Sequence, residues 1–471
     1  MDYIASRTKI VYNGTIIPKE EYKMNESMQK LFDAIENHRD LMWDAEKYIW
    51  EHPETGFKEW KTHAYLKEQM EKLGYTLKEA GDIPGFTAEI DTGREGPTVV
   101  IMAEMDSIVN FSHPECNKET GAVHACGHHA QCASLLGAAA ALKDENVLQG
   151  LCGKIRIIFE PAEELLEIDY REGLRQQGII KYFGGKVEFM RRGFFDGADI
   201  CVMLHSGSGE NSFELTPGQN GCIVKQIAYR GKTSHASGPY KAINALYAAN
   251  VGIAATNALR ETFRDDDHIR YHPIITGKIG TVNNIPDLIT MESYVRGASL
   301  PAMKQANNRI NRALSGSAAA MGATVQLRDR PGYAPVDNDE NMYNISKQVM
   351  AAIVGEENVR ERPVWGAGCT DMGDISCVFP GLHPHGSGAI GAGHGDDYYI
   401  ANKEYALTQA GKYLLGMCAA LLCDDAAAAK HVLANKHTQF DSIESYLASL
   451  DELIHDINGV EYTDEGAILR F

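Results

Sequence analysis

At 471 residues the chain is too long for one ordinary core, which points to two or three domains. Its apolar fraction of 44% is normal for a globular protein, no apolar run approaches the ~18 residues of a membrane span, and MDYIASRTKIVYNG at the start offers no signal peptide. The expectation is a cytoplasmic protein away from membranes, and a formal net charge of −19 argues against nucleic acid, whose phosphates demand an electropositive face.

In chain order, residues 25–50 show helical spacing of Met28, Leu31, Ile35, Leu41, Trp43 and Tyr48. HPETGF breaks that helix, and EWKTHAYLKEQMEKLGY forms the next, ending at Gly74. FTAEIDTG alternates like a strand, whereas PTVVIMAEMD is a continuous apolar run of the kind buried on both sheet faces. CASLLGAAAALKDE reads as helix, GKIRIIFEPAEE as a strand ending in charge, and DICVMLHSG as another strand. Strands alternating with helices make an α/β sheet, and such sheets place their sites at the carboxyl ends of the strands. Asp106, Glu163, Glu164 and His205 all gather there.

Near Gly221 the character changes. CIVKQIAYRGKTSH is an alternating strand, PYKAINALYAANVGIAATNALR a helix, and IITGKIGTVNNIPDLITMESYVRGAS two strands around a turn. PAMKQANNRINRALSGSAAAMG is a further helix and TVQLRDRPG a strand. The order β-α-β-β-α-β is that of a ferredoxin-like sandwich. The expected organisation is a catalytic domain over 1–220 with an N-terminal extension, an inserted α+β domain over 221–331, the second part of the catalytic domain over 332–425, and a helical tail over 426–471.

The ten cysteines sit mostly in apolar contexts, and no C-x-x-C pair is present, so buried reduced thiols are expected rather than redox chemistry. Cys126 is the exception by its neighbours. Cys126-x-His128, then FEPAEE, VMLHSG and GAGHGDDY supply a thiolate, an imidazole, two carboxylates and two more imidazoles at strand ends, a donor set suited to Zn²⁺ or Mn²⁺. After a strand, the adjacent Glu163 and Glu164 diverge, so one can ligate metal while the other handles a proton. Hydrolysis needs that division, because the metal lowers the pKa of water towards ~7 and a base must take the proton and return it to the leaving amine. If the segment is extended, Cys126 and His128 share a face and His129 lies opposite. Cys132 falls in the following helix as a core residue, and His124 has no clear role. His235, in a polar loop before a helix, can donate to an oxyanion if the inserted domain closes over the site or a second chain supplies it.

HACGHHAQ, FEPAEE, GKTSHASGP, NNIPD with VRG, and the late GAGH follow the order of the co-catalytic metallopeptidase family M20, which the chain resembles over roughly residues 27–420. The resemblance is to its amidohydrolase branch, which includes aminobenzoyl-glutamate hydrolases, auxin-conjugate hydrolases and N-acyl-amino-acid amidohydrolases. It implies a zinc-peptidase-like α/β catalytic domain with a mixed sheet, interrupted by a ferredoxin-like lid that forms a homodimer. It further implies two divalent metal ions held by Cys126, His128, Glu164, His205 and His394, with Cys126 bridging. Glu163 becomes general base and acid, Asp106 orients a ligand, and His235 reaches a neighbouring subunit's site. Asn284 and Arg296 match lid positions near the substrate.

Three departures stand out. The branch usually has GHDAH where this chain has GHHAQ, so His129 and Gln131 replace an acid and a histidine. CTDMGDIS replaces the usual SEDF segment. His383 and His385 rival His394 as the last ligand, with His394 preferred for its glycine-flanked position. The expected activity is hydrolysis of the amide bond of an N-acyl or aminobenzoyl amino acid or small dipeptide. The alternatives are an aminopeptidase or dipeptidase in which Asp371 or Asp374 holds a free amine, and a non-catalytic binding protein that keeps the fold.

Overall fold

The computed structural model describes residues 26–277 and 280–471, so the N-terminal stretch read above lies outside the described residues. A six-stranded mixed sheet runs Lys78–Glu79, Phe86–Asp91, Lys154–Glu160, Thr98–Glu104, Ile200–Val202, Gly381–Leu382. The first two junctions are antiparallel and the remaining three parallel. Thr98–Glu104 is buried throughout. Val99, Ile101 and Ala103 join one apolar cluster while Val100 and Met102 join another, so alternate residues of this strand feed two cores and neither of its faces meets water. This is an α/β fold.

On the first face lie Arg39–Glu51, His128–Ala141, Glu340–Val354 and Gln409–Leu422. Small residues let these helices approach: a Cβ on Gly137 meets the Met42 side chain at 2.3 Å. The expected single helix over 25–50 is two, Glu26–Glu36 and Arg39–Glu51, because the chain tightens at Asn37 and His38, where the His38 N–H turns back to the Ile35 carbonyl.

The inserted sheet is antiparallel, in the order Arg270–Tyr271, Leu288–Gly297, Gly221–Arg230, Thr324–Tyr333, His455–Asn458, with Ile274–Thr276 also pairing Leu288–Gly297. Ala245–Ala258 and Leu300–Ala320 pack against it. The tail corrects the expectation of a helical appendage. Helices Ala427–Ala434 and Ile443–Asp451 are followed by strand His455–Asn458 and the hairpin Val460–Thr463 and Gly466–Leu469. An open edge on Thr324–Tyr333 offers unpaired backbone groups, and pairing Gln326 with Asn458 through Asp329 with His455 satisfies them. The Asn458-Gly459 pair, a turn signal, marks where the helix pattern is already over.

Candidate metal centre

Each ligand-type side chain owes its place to a chain reversal at a strand end. After Thr98–Glu104, Asp106 turns inward, and its carboxylate works in two directions. Oδ1 meets His128 Nδ1 at 3.1 Å and Oδ2 accepts the Glu164 N–H at 2.8 Å. The Asp106 carbonyl also lies 2.9 Å from His128 Nδ1. An imidazole whose Nδ1–H is so engaged presents its Nε2 lone pair outward, the usual arrangement of a metal-ligating histidine. The same holds for His205, whose Nδ1 lies 2.7 Å from the Ser206 carbonyl.

The segment around Cys126 and His128 is not extended. Gly127 lies in the left-handed region (φ 94°) and His128 opens helix His128–Ala141, so the two side chains converge through a glycine reversal rather than through a strand pleat. His129 consequently leaves the cluster, with Nε2 3.5 Å from Glu46, which Lys403 also holds at 2.6 Å. Cys132 is buried in the helix and donates to the Glu104 carbonyl, and His124 is buried against the His129 ring.

After Lys154–Glu160 the turn carrying Glu163 and Glu164 is pinned by residues that sequence reasoning passed over. Ala162 has φ 62°, its N–H donates to the Glu59 carboxylate at 2.7 Å, and its carbonyl accepts from Arg171 at 3.2 Å. Arg171, itself buried, also donates to the Glu164 and Phe183 carbonyls. These bonds send adjacent carboxylates to different neighbours. Glu164 Oε1 lies 3.0 Å from His394 Nε2, while Glu163 lies with His128 on one side and with Glu104 and Asp371 on the other. His394 also has a left-handed backbone (φ 64°), fixed by its N–H to the Ala125 carbonyl at 2.8 Å, and its side chain is 55% exposed at the rim.

Among the described residues four groups of three donors lie mutually within 4.8 Å; beside His128, Glu163, Glu164 and Glu104, Glu163, Asp371, two triads hold the expected ligands, Cys126, His128, His205, and Cys126, Glu164, His394. Cys126 belongs to both. For bonds of about 2.3 Å to sulfur and about 2.0 Å to nitrogen, two ligands of one tetrahedral cation stand about 3.5 Å apart. Cys126 Sγ and His205 Nε2 are 3.5 Å apart. Among the described residues His128 Nε2 is buried without a hydrogen-bond partner, the state expected of a nitrogen whose lone pair serves a cation. The donor set therefore fits divalent metal ions. His383 and His385 pack beside the His205 ring, at 5.8 and 5.5 Å between centroids, and belong to neither triad.

The electrostatics follow from the crowding. Burial pushes the Glu163 carboxyl well above its ordinary range, and the nearby Glu104, Glu164 and Asp371 add to the rise against the pull of His128. Burial pushes Glu164 the same way, but its bond to His394 and the charges of His394 and His128 outweigh that and bring it to about 2. His394 is raised to about 11 by its bonds to Cys126 and Glu164.

The lid residues lie elsewhere within one chain. His235 bonds through Nδ1 to Ser237 Oγ at 2.7 Å and bridges in backbone to Asn284, so those two share one exposed loop edge. Arg296 lies over the Tyr294 ring and reaches the Ala367 carbonyl at 3.4 Å, between lid and catalytic sheet. Asp371 and Asp374 are engaged in internal bonds. Both are fully buried, Asp371 on Lys186 at 2.5 Å and Asp374 on the Ala334 N–H and the Tyr446 hydroxyl. Glu104, Glu160 and Lys186 complete the floor of the site and were missed. The matching acidic ends of MAE and IFE were a readable signal for the two glutamates, whereas nothing local in FGGKVEF marks Lys186.

The model of "Peptidase family M20/M25/M40" matches residues 100–419. The chain is 27% identical over 345 residues to IAA-amino acid hydrolase ILR1-like 4 of Arabidopsis thaliana, covering 70% of this chain and 73% of the relative. It is 26% identical over 304 residues to N-acetyl-L-cysteine deacetylase of Bacillus subtilis, covering 62% and 68%. A crystal structure from Bacillus subtilis, described as a dinuclear metal-binding peptidase of family M20, shares the fold with a TM-score of 0.60 at 22% identity, over 82% of this chain and 99% of that one. With the family model spanning both triads, the chain belongs to peptidase family M20/M25/M40 and is a hydrolase of amide bonds.

Proposed function

We propose that this chain hydrolyses the amide bond of an N-acyl or aminobenzoyl amino acid, or of a small dipeptide, with two divalent cations, zinc or manganese, held by Cys126, His128, Glu164, His205 and His394. The observation that carries the reading is that one thiol, Cys126, belongs to two separate three-ligand groups. The thiolate favours zinc. When bound, the cations make water acidic at neutral pH and polarise the amide carbonyl.

The remaining work belongs to side chains. Glu163 belongs to neither Cys126 triad but lies within ligand reach of His128 and Glu164, one from each, so its carboxylate is placed to take a proton from water and deliver it to the departing nitrogen. Asp106 orients His128 through Nδ1 and Glu164 through its backbone, coupling the two halves of the centre. His235 serves the partner subunit's site by donating to the developing oxyanion, and Asn284 and Arg296 hold the substrate's amino-acid portion. A homodimer through the lid supplies that geometry. The strand pair Arg270–Tyr271 and Ile274–Thr276 leaves an edge with Ile274 and Ile275 exposed, a surface suited to a second copy. Among the described residues no single helix is long and apolar enough to cross a membrane, and we place the enzyme in the cytoplasm.

Engagement of Asp371 and Asp374 in internal bonds favours acylated substrates over free amines. Glu163→Gln tests the assignment: metal content by elemental analysis stays at the wild-type level and kcat falls by about 10²–10⁴-fold on a panel of N-acyl amino acids. Full turnover in that variant removes Glu163 from the mechanism, and activity unaffected by a chelator removes the cations.

A further inference from the structure

At the floor of the site, Glu104 and Glu160 end adjacent parallel strands in direct register, so two fully buried carboxylates stand side by side. Like charges so placed repel and need a counter-charge. Lys186 supplies it. Its fully buried ammonium meets Glu104 Oε1 at 2.7 Å, Asp371 Oδ1 at 2.5 Å, and Glu160, while its backbone N–H donates to Asp371 Oδ2 at 3.0 Å. The other Glu104 oxygen accepts from the Gln131 amide at 3.0 Å. That same oxygen lies only 3.2 Å from His128 Nε2, the nitrogen left without a hydrogen-bond partner. Glu104 thus stands next to the pocket of Cys126, His128 and His205 without joining its mutually close set of donors.

We propose that Lys186 and Gln131 are positioning residues that hold the Glu104 carboxylate out of this cation pocket, so that the pocket offers three protein ligands and keeps one coordination position open. The consequence is catalytic, because metal sites that perform chemistry keep an open position whereas sites with four protein ligands are closed and structural. It also gives a physical meaning to Gln131: its neutral amide donates to Glu104 whatever the pH. The inference rests on the two-cation reading.

The test uses the full chain, stripped of metal and reloaded with Co²⁺, with affinity read by chelator competition and the open position read by azide-induced change in the visible cobalt bands. In Lys186→Met the freed Glu104 closes the position. Cobalt binding tightens about tenfold, the azide response falls by about half, and kcat drops while KM holds. Glu104→Gln alone matches wild type in cobalt affinity and azide response. The double variant K186M/E104Q, which leaves the net charge of the floor unchanged, also matches wild type and decides the matter if Lys186→Met does not fold. Identical affinity and azide response in wild type and a folded Lys186→Met overturn the inference. So does a Glu104→Gln that weakens cobalt binding, since Glu104 is then a native ligand, or a double variant that departs from wild type. A wild-type chain that takes up no cobalt overturns the two-cation reading itself and the inference with it.

Discussion

Gly127 carries a role that no other residue type can fill. Its φ of 94° reverses the chain between Cys126 and His128, and a Cβ there meets Tyr398 Oη at 2.4 Å and Ser206 Cβ at 2.7 Å. Gly127→Ala is expected to cost about 1–3 kcal/mol in urea denaturation and to weaken cobalt binding, since strain and clash act on the same three residues. The members of the two Cys126 triads were legible in the sequence as candidates because histidines, a cysteine and acids accumulate at successive strand ends. Lys186 was not, because burying a lysine depends on three carboxylates brought together from far apart in the chain. Arg171 and Glu59 were hidden for the same reason, since what they hold is a backbone turn.

Between elements, one ion network ties helix Ile168–Gln176, which follows the Glu163–Glu164 turn, to lid strand Thr324–Tyr333 and tail strand His455–Asn458. Arg330 is buried and forks onto Glu172 at 2.9 and 3.1 Å and onto Asp456 at 3.1 Å. Burial raises both carboxyls, but their bonds to the arginines and the attendant charges outweigh it, so both titrate below their ordinary ranges. A carboxyl whose folded pKa is depressed stabilises the fold above its unfolded value, near 4, and loses that contribution as pH falls through the lower folded value. Arg330→Met is therefore expected to lose about 3 kcal/mol at pH 7 and to show a shallower decline of stability between about pH 4 and pH 2 than wild type, measured by urea melts across that range. A steeper decline in the variant contradicts the network. At this scale the alternation of helix and strand read well, while the start of helix His128–Ala141 did not, since a glycine reversal and a strand pleat both bring alternate side chains to one side.

For the whole molecule, strand His455–Asn458 decides which lid edges are available for association. It occupies the Thr324–Tyr333 side, and among the described residues the Ile274–Thr276 side is left unpaired, so in the proposed homodimer a second copy would have one edge to pair with and the assembly would close instead of propagating. A chain truncated after Ile454 exposes Gln326–Asp329 and is expected to grow beyond a dimer with concentration, read by light scattering; unchanged mass over that range contradicts the capping role. The sequence alone conveyed the two-sheet plan, through the switch from continuous apolar runs to strict alternation at Gly221, but not this capping, because pairing between segments so far apart leaves no periodicity to read. The long detour also bears on biosynthesis. A ribosome must thread out the whole second portion of the catalytic sheet before His455–Asn458 appears, so the lid passes through translation with a raw flank, and the nascent polypeptide is most exposed to mispairing with its neighbours on a polysome just before that strand arrives.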